Sequence, residues 1–205
     1  MKLHWSPRSP FVRKVMIVAH EVGVADRLDC VRTVAATTEP NAELMIDNPL
    51  SKLPTLVLGD GTALYDSPVI CEYFDTLHDG PKLFPTESRA RMIAMRRQAL
   101  GDGMLDLLVL WRNELMRPAE HRSAAHLENF PVRRDSVLAS IERETPALES
   151  SAYSIGHVAL GCALSYLDFR FTDFDWRKYH SRAAAWHNTF AARPAVQATE
   201  PVDDS

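Results

Sequence analysis

Strand and helix signals that alternate through residue 79, a glycine- and proline-rich break after them, and purely helical periodicity beyond the break predict a two-part fold. The first part, residues 1–79, is a mixed α/β domain; residues 80–87 are a linker; residues 88–205 form an all-helical domain. A chain of 205 residues is long enough for two small domains, and 46% hydrophobic content is ordinary for globular cores.

Met1 to Trp5 reads as a short strand. Pro10 to Val22 reads as a helix, because Phe11, Val15, Val18, Ala19 and Val22 recur at helical spacing and Pro10 sits in the first turn, where its missing N–H costs nothing. Arg27 to Val34 alternates as a second strand, and a weak helix follows around residues 41–46. Leu53 to Leu58 is strand-like, Gly59-Asp60-Gly61 turns the chain back into a partner strand at 62–65, and Ser67 caps a helix to about His78. This order is the thioredoxin-like arrangement.

Asp79-Gly80-Pro81 and Phe84-Pro85-Thr86 break the pattern. Ser88 to Met116 is one long helix with two apolar stripes, Ala99, Gly103, Leu107 and Leu110 on one side and Met104, Leu108, Trp111 and Leu115 on the other, so it needs cover on more than one side. Residues 120–149 are helical but interrupted, with Pro131 kinking or restarting the helix and Pro146 ending it early. Ser154 caps an amphipathic helix carrying Ile155, Val158, Ala159, Cys162, Ala163, Tyr166 and Leu167, and a final helix spans about Trp176 to Phe190, closed by Arg193-Pro194.

The net charge of −4 falls within residues 1–79, which hold seven basic against eleven acidic side chains; the remainder balances. No basic patch calls for a nucleic-acid partner. No run approaches the ~20 apolar residues that span a bilayer, and no leader-like segment opens the chain, so a soluble, cytoplasmic protein without a membrane partner is expected. Cys30, Cys71 and Cys162 stand far apart and form no CxxC pair, and the eight histidines form no HExxH motif, so neither a disulfide framework nor a metal is expected.

Three motifs carry chemistry: Ser9-Pro10-Phe11-Val12-Arg13-Lys14, Asn48-Pro49-Leu50-Ser51-Lys52-Leu53-Pro54, and Asp66-Ser67-Pro68-Val69-Ile70-Cys71-Glu72-Tyr73. In order and spacing they resemble the glutathione-site signatures of cytosolic glutathione S-transferases, and the Ser154 helix and the Trp186…Arg193-Pro194 ending extend the resemblance over nearly the whole chain. It looks closest to bacterial serine-type members with serine in the S-P-F position. The resemblance implies the glutathione-transferase fold, glutathione as co-substrate, a small electrophilic second substrate and a homodimer in which the first domain of one subunit faces the helical domain of the next.

The residues themselves support specific roles. A helix starting at Pro10 points free N–H groups and its positive dipole end at whatever lies beside Ser9, which favours a thiolate, and the Ser9 hydroxyl can donate to that sulfur or merely cap the helix. Ser6 is the rival for the sulfur contact. The resemblance implies a cis Leu53–Pro54 bond, with the backbone of Leu53 pairing with the cysteinyl backbone of the ligand. Ser67 and the helix behind it suit the γ-glutamyl carboxylate, Asp66 can accept from its amine, and Lys52 can meet the glycyl carboxylate. Phe11, in the first motif, completes the binding set. For the second substrate the resemblance points between the domains to Trp111, Arg112 and Leu115. The family often carries Asp three residues after the cap serine of its core helix; His157 stands there instead, and the reciprocal cap is expected to be lost.

Two functions lead, an enzyme that activates the glutathione thiol for attack on an electrophile and a glutathione-binding module of the same fold with little turnover, and glutathione-dependent isomerisation or dehalogenation is a further alternative. A thiol–disulfide reductase would need a reactive cysteine where the chain has Ser9.

Overall fold

The computed structural model describes residues 1–204; Ser205, the last residue of the expected helical domain, lies outside them. The chain divides into two compact units, one of Met1–Thr86 together with the segment from Pro194 onward, the other of Glu87–Arg193.

The first unit is built on a four-stranded mixed sheet of order β2-β1-β3-β4, with β1 at Lys2–Trp5, β2 at Asp29–Arg32, β3 at Thr55–Val57 and β4 at Ala63–Leu64. β1 runs parallel to β2 and antiparallel to β3, and β3 is antiparallel to β4. The parallel pair requires a crossover, which helix α1, Pro10–Glu21, supplies. Val12, Val15, Ile17, Val18 and Ala19 are all buried, so α1 is a core helix, and Gly23 at φ 73° lets the chain leave it while Val24 N–H returns to Ala19 O at 2.8 Å. Helix α2, Ala42–Asp47, begins where Asn41 accepts from Leu44 N–H at 3.0 Å. Helix α3 spans Ser67–Asp75 and packs on α1. Its N-cap is Asp66, not Ser67; Ser67 is the first helical residue, and the Asp66 side chain makes no capping bond.

The break after α3 is folded rather than loose. The Asp75 carboxylate, 4% exposed, accepts from Leu83 N–H at 2.8 Å, Phe84 N–H at 2.9 Å and His78 Nε2 at 3.1 Å, and Lys82 Nζ donates to Asp75 O at 2.7 Å and to His78 O. At the other end of the chain, Pro194 opens a short helix α8, Pro194–Gln197, that packs on α1, where Arg13 donates to Val196 O. The segment from Pro194 onward, assigned by its sequence pattern to the helical domain, therefore belongs with the first unit.

The second unit is a helical bundle: α4 Ser88–Met116, α5 Ala124–Glu149, α6 Ile155–Arg170 and α7 Ser181–Ala191. α4 matches its expected bounds, but within the chain only one face is covered. Ala94, Arg97, Gln98, Gly101, Met104, Leu105, Leu108 and Trp111 are buried, Leu115 at the end of their stripe is exposed, and of the other expected stripe Leu107 is buried whereas Ala99, Gly103 and Leu110 are exposed. The covered face meets α6 closely: a Cβ on Gly101 would fall 2.5 Å from the Ala159 carbonyl carbon. α5 runs unbroken through Pro131, where a kink or restart was expected, and through Pro146, where an early end was expected. An internal proline costs about 3 kcal/mol, and burial of Phe130, Leu138, Ile141 and Leu148 along one face offsets it. The last expected helix is divided, a turn of 3₁₀ at Trp176–Lys178 preceding α7, whose first N–H groups are capped from α5 by Glu142, bonded to Arg182 N–H at 3.2 Å and Ala183 N–H at 2.8 Å.

The start of α6 also departs from expectation. His157 supplies the reciprocal cap: its Nδ1 accepts from Ser154 N–H at 3.1 Å, and its Nε2 contacts Leu148 O at 3.0 Å. A carbonyl can only accept, so Nε2 carries the proton and Nδ1 is left as the acceptor that a carboxylate would otherwise provide. Burial lowers the His157 pKa, with nearby Arg97 and Arg193 acting in the same direction. The folded protein thus binds this proton more weakly than the unfolded chain, whose imidazole titrates near ~6.5. The stability that neutral His157 contributes is complete above that value and is lost as pH falls below it. Thermal melts of the protein and His157→Asn, whose amide does not titrate, are expected to differ most near neutral pH and to converge as pH falls below about 6.5; a constant difference would remove His157 from the account.

Candidate functional site

The pairings Lys2↔Val57, Leu3↔Leu56 and His4↔Thr55 on one side of β3, and Leu56↔Leu64 and Val57↔Ala63 on the other, run toward Trp5, Pro54 and Tyr65. The loops that follow β1 and β4 and the loop that precedes β3 therefore leave the sheet at one rim. That brings together the Ser9, Leu53–Pro54 and Asp66–Ser67 motifs.

Ser9 is the N-cap of α1, its Oγ accepting from Val12 N–H at 3.3 Å. Capping uses a lone pair and leaves the hydroxyl proton, so the same side chain can cap and donate to a sulfur. Pro10 has no N–H, and that of Phe11 has no partner among the described residues, so the dipole end of a twelve-residue helix stays open beside Ser9. Phe11 itself is half-buried. Ser6 has a different part: it is buried, its Oγ accepts from Arg8 N–H at 3.4 Å, and its carbonyl accepts from Ser9 N–H at 3.3 Å, which closes the turn into α1.

The second motif is organised by a residue that carried no role in the sequence reading. Asn48, 1% exposed, donates through Nδ2 to Lys52 O at 3.2 Å and to Thr55 Oγ1 at 2.9 Å, and accepts from Leu50 N–H at 3.0 Å. Thr55 Oγ1 donates in turn to Lys52 O at 2.9 Å. These bonds fix the Asn48–Thr55 turn, in which Ser51 takes φ 51°. Leu53–Pro54 is cis, as the motif implied. Leu53 precedes β3, and its N–H and C=O have no partner among the described residues. Lys52 is exposed. Upstream, Asp47 accepts from Lys2 Nζ at 2.6 Å and contacts His4 Nε2 at 2.8 Å, and the bonds from Lys2 and His4 hold its carboxyl below the usual range.

At the third motif α3 presents the N–H groups of Ser67 and Val69 at its open end, Ile70 N–H being the first to bond back, to Asp66 O at 3.2 Å. Ser67 is 2% exposed and Asp66 is exposed. An anion of carboxylate size fits this arrangement, and an ammonium fits Asp66.

The remaining candidates lie in the helical unit. Trp111 is buried in an aromatic cluster, its ring 5.7 Å from that of Phe130 and 4.9 Å from that of Phe171, with the Arg134 guanidinium 5.3 Å from its centroid. Arg112 is half-buried and interacts electrostatically with Tyr166, as does Arg170. Burial raises the Tyr166 pKa against the opposing pull of both arginines. Tyr166 entered the sequence reading only as an apolar stripe residue. Leu115 is exposed.

Cys30 is exposed, and partial burial of its sulfur together with Asp29 raises its pKa, which favours the unreactive thiol; Cys71 and Cys162 are buried. Among the described residues no group of three or more His, Cys, Asp or Glu is placed to hold a metal ion, and no helix is long and apolar enough to cross a membrane.

Residues 8–77 match the family model for the glutathione S-transferase N-terminal domain. The structure superposes with a TM-score of 0.94 on a glutathione transferase family member from Pseudomonas fluorescens Pf-5 crystallised with bound glutathione, 39% identical, with 98% of each chain covered. A second crystal structure of a Pseudomonas fluorescens Pf-5 glutathione transferase family member holds S-(propanoic acid)-glutathione and aligns at a TM-score of 0.90 and 37% identity, covering 98% of this chain and 99% of that one. YibF of Escherichia coli (strain K12), described as an uncharacterized GST-like protein, is 27% identical over 203 residues, 98% of either chain.

Asn48→Ala removes three hydrogen bonds from a buried turn and is expected to lower unfolding free energy by about 2–4 kcal/mol in urea titrations. A loss below about 1 kcal/mol would mean that the turn holds without this side chain.

Proposed function

We propose, from the premise that the chain belongs to the glutathione S-transferase family, that it binds glutathione at the sheet rim and activates its thiol for attack on an electrophile. The observation that carries this reading is the convergence of three complementary features on one rim: the open end of α1 at Ser9, the free backbone groups of Leu53, and the open end of α3 at Ser67. Each matches one part of the tripeptide, namely sulfur, cysteinyl backbone and γ-glutamyl carboxylate. Asp66 takes the ligand amine, Lys52 the glycyl carboxylate, and Phe11 and Pro54 flank the cysteinyl group.

In this mechanism the ligand is held in extended form by Leu53 as an added strand, and its sulfur lies where the dipole of α1 and the Ser9 hydroxyl stabilise negative charge. The thiol proton leaves to solvent, and the thiolate attacks the electrophile. Ser9 is favoured over Ser6 because its side chain is the more accessible, Ser6 being buried in the turn before α1. Trp111 and Arg112 are proposed for the second substrate. The raised Cys30 pKa and the burial of Cys71 and Cys162 speak against a mixed-disulfide route. The glutathione conjugate held by the Pseudomonas relative supports conjugation at sulfur as the reaction type, and a cytoplasmic location suits a free thiol co-substrate. The domain assignment proposed is a glutathione-binding first unit and a helical second one.

Ser9→Ala is expected to lower kcat/KM for glutathione with 1-chloro-2,4-dinitrobenzene about 10- to 100-fold, the worth of one hydrogen bond to a charged group, without change in circular dichroism. Unchanged turnover in that variant with loss in Ser6→Ala would transfer the role. Thiolate absorbance appearing on glutathione addition, without conjugation of any electrophile, would favour a binding module.

The exposed face of α4 supports a homodimer. Met92, Met95, Ala99, Gly103 and Leu110 recur there with the helical period, and Met92 is 71% and Leu110 59% exposed. Light scattering is expected to give twice the chain mass of 23.0 kDa, reduced toward one chain by Leu110→Glu. A wild-type mass of one chain rejects the dimer.

A further inference from the structure

The segment Pro201–Asp204 meets the turn between β1 and α1. Val202 N–H reaches Pro7 O at 3.4 Å, and the Val202 side chain remains 58% exposed. Charge makes the contact. Asp204 Oδ1 accepts from Arg8 Nε at 2.8 Å, and Asp204 Oδ2 accepts from Nε and Nη2 of Arg32, both at 2.7 Å. Asp203 Oδ1 lies 4.0 Å from Arg8 Nη1.

The two arginines are placed by the sheet. Arg32 pairs with Trp5 at the end of the parallel β1–β2 ladder, and its Nη1 donates to Thr33 O at 2.8 Å, which fixes the guanidinium. Arg8 lies three residues beyond Trp5, in the turn closed by Ser6 and directly before Ser9. Two guanidinium forks that each take one oxygen of a single carboxylate form a site of defined chemistry. Arg8 immediately precedes Ser9, the N-cap of α1, so the guanidinium pair and the start of α1 are carried by the same turn.

We propose that Arg8 and Arg32 form a carboxylate-binding site beside Ser9, and that Asp204 is its resident ligand, a strap which a carboxylate-bearing electrophile displaces. The placement of the electrophile rests on the transferase reading of Ser9; the carboxylate site does not. The strap is displaceable because its ion pairs are partly exposed and screened by salt, and because the Val202 side chain is largely exposed.

The test compares the unaltered protein with the double variant Asp203→Asn, Asp204→Asn on two electrophiles that react alike. With 1-chloro-2,4-dinitrobenzene or 4-chloro-3,5-dinitrobenzoate the glutathione sulfur bonds to the ring carbon, chloride leaves with the C–Cl electron pair, and the thiol proton passes to water. The variant is expected to show a KM for the benzoate lowered by about threefold or more, with the KM for the neutral compound unchanged. Independently of turnover, unreactive 4-nitrobenzoate is expected to raise the melting temperature of the variant more than that of the wild type, and adding Arg8→Gln is expected to abolish the difference. Equal KM changes for both electrophiles, or a 4-nitrobenzoate shift that is the same in wild type and variant or survives Arg8→Gln, overturns the proposal. A 4-nitrobenzoate shift of the expected pattern with turnover of neither electrophile leaves the carboxylate site standing and removes the transferase reading.

Discussion

Three segments distant in the chain have to end at one rim of a small sheet, and the antiparallel pairing of β3 with both β1 and β4 is the constraint that makes them do so. Side chains on a strand alternate between faces, so a slip of one residue would carry Leu56 out of the core and displace Leu53 relative to Ser9. The register is held on both sides. Leu3 and Leu56, both fully buried, face each other across the β1–β3 ladder, while Asn48 ties the preceding turn to Thr55, the first residue of β3. The backbone of Leu53 thus inherits its position from the buried hydrogen-bond network of Asn48.

Most of this frame was legible in the sequence, because its cues are local. Pro10 and the 3.6 period of Val15, Val18 and Ala19 announce α1, and the Gly59-Asp60-Gly61 turn announces the β3–β4 hairpin. The three motifs also placed Ser9, Leu53 and the start of α3 at one site, since each pairs a turn with the beginning of a helix or strand. Asn48 was inside a quoted motif yet carried no role, because a buried side chain that bonds three backbone or hydroxyl groups looks, in sequence, like any loop asparagine.

Where the reading failed, tertiary packing outweighed a local rule. By local rules Pro131 and Pro146 interrupt a helix, but the face made by Phe130, Leu138, Ile141 and Leu148 keeps α5 continuous. Ser67 was read as a cap, although one residue of offset gives that place to Asp66. The segment after Pro194 was assigned to the helical unit by adjacency, whereas the contacts that decide its place, Arg13 with Val196 and Arg8 and Arg32 with Asp204, join residues more than 170 positions apart. No periodicity carries such information. The second-substrate candidates suffer the same way: Arg112 is grouped with Tyr166 and Arg170 only once α4 and α6 pack together.

His157 illustrates why residue type alone misleads at such points. The family habit of an aspartate here suggests that a cap needs a carboxylate, but the geometric requirement is only for an acceptor facing Ser154 N–H. Imidazole meets it when its other nitrogen is committed as a donor, and Leu148 O commits it. The substitution exchanges an acceptor that stays ionised to low pH for one that fails once protonated, and burial of the ring lowers the pH at which that happens. A histidine in this position therefore remains a working cap at neutral pH because the end of α5 supplies a carbonyl to it, so the integrity of the α6 start depends on the packing of α5, a dependence that an aspartate would not create.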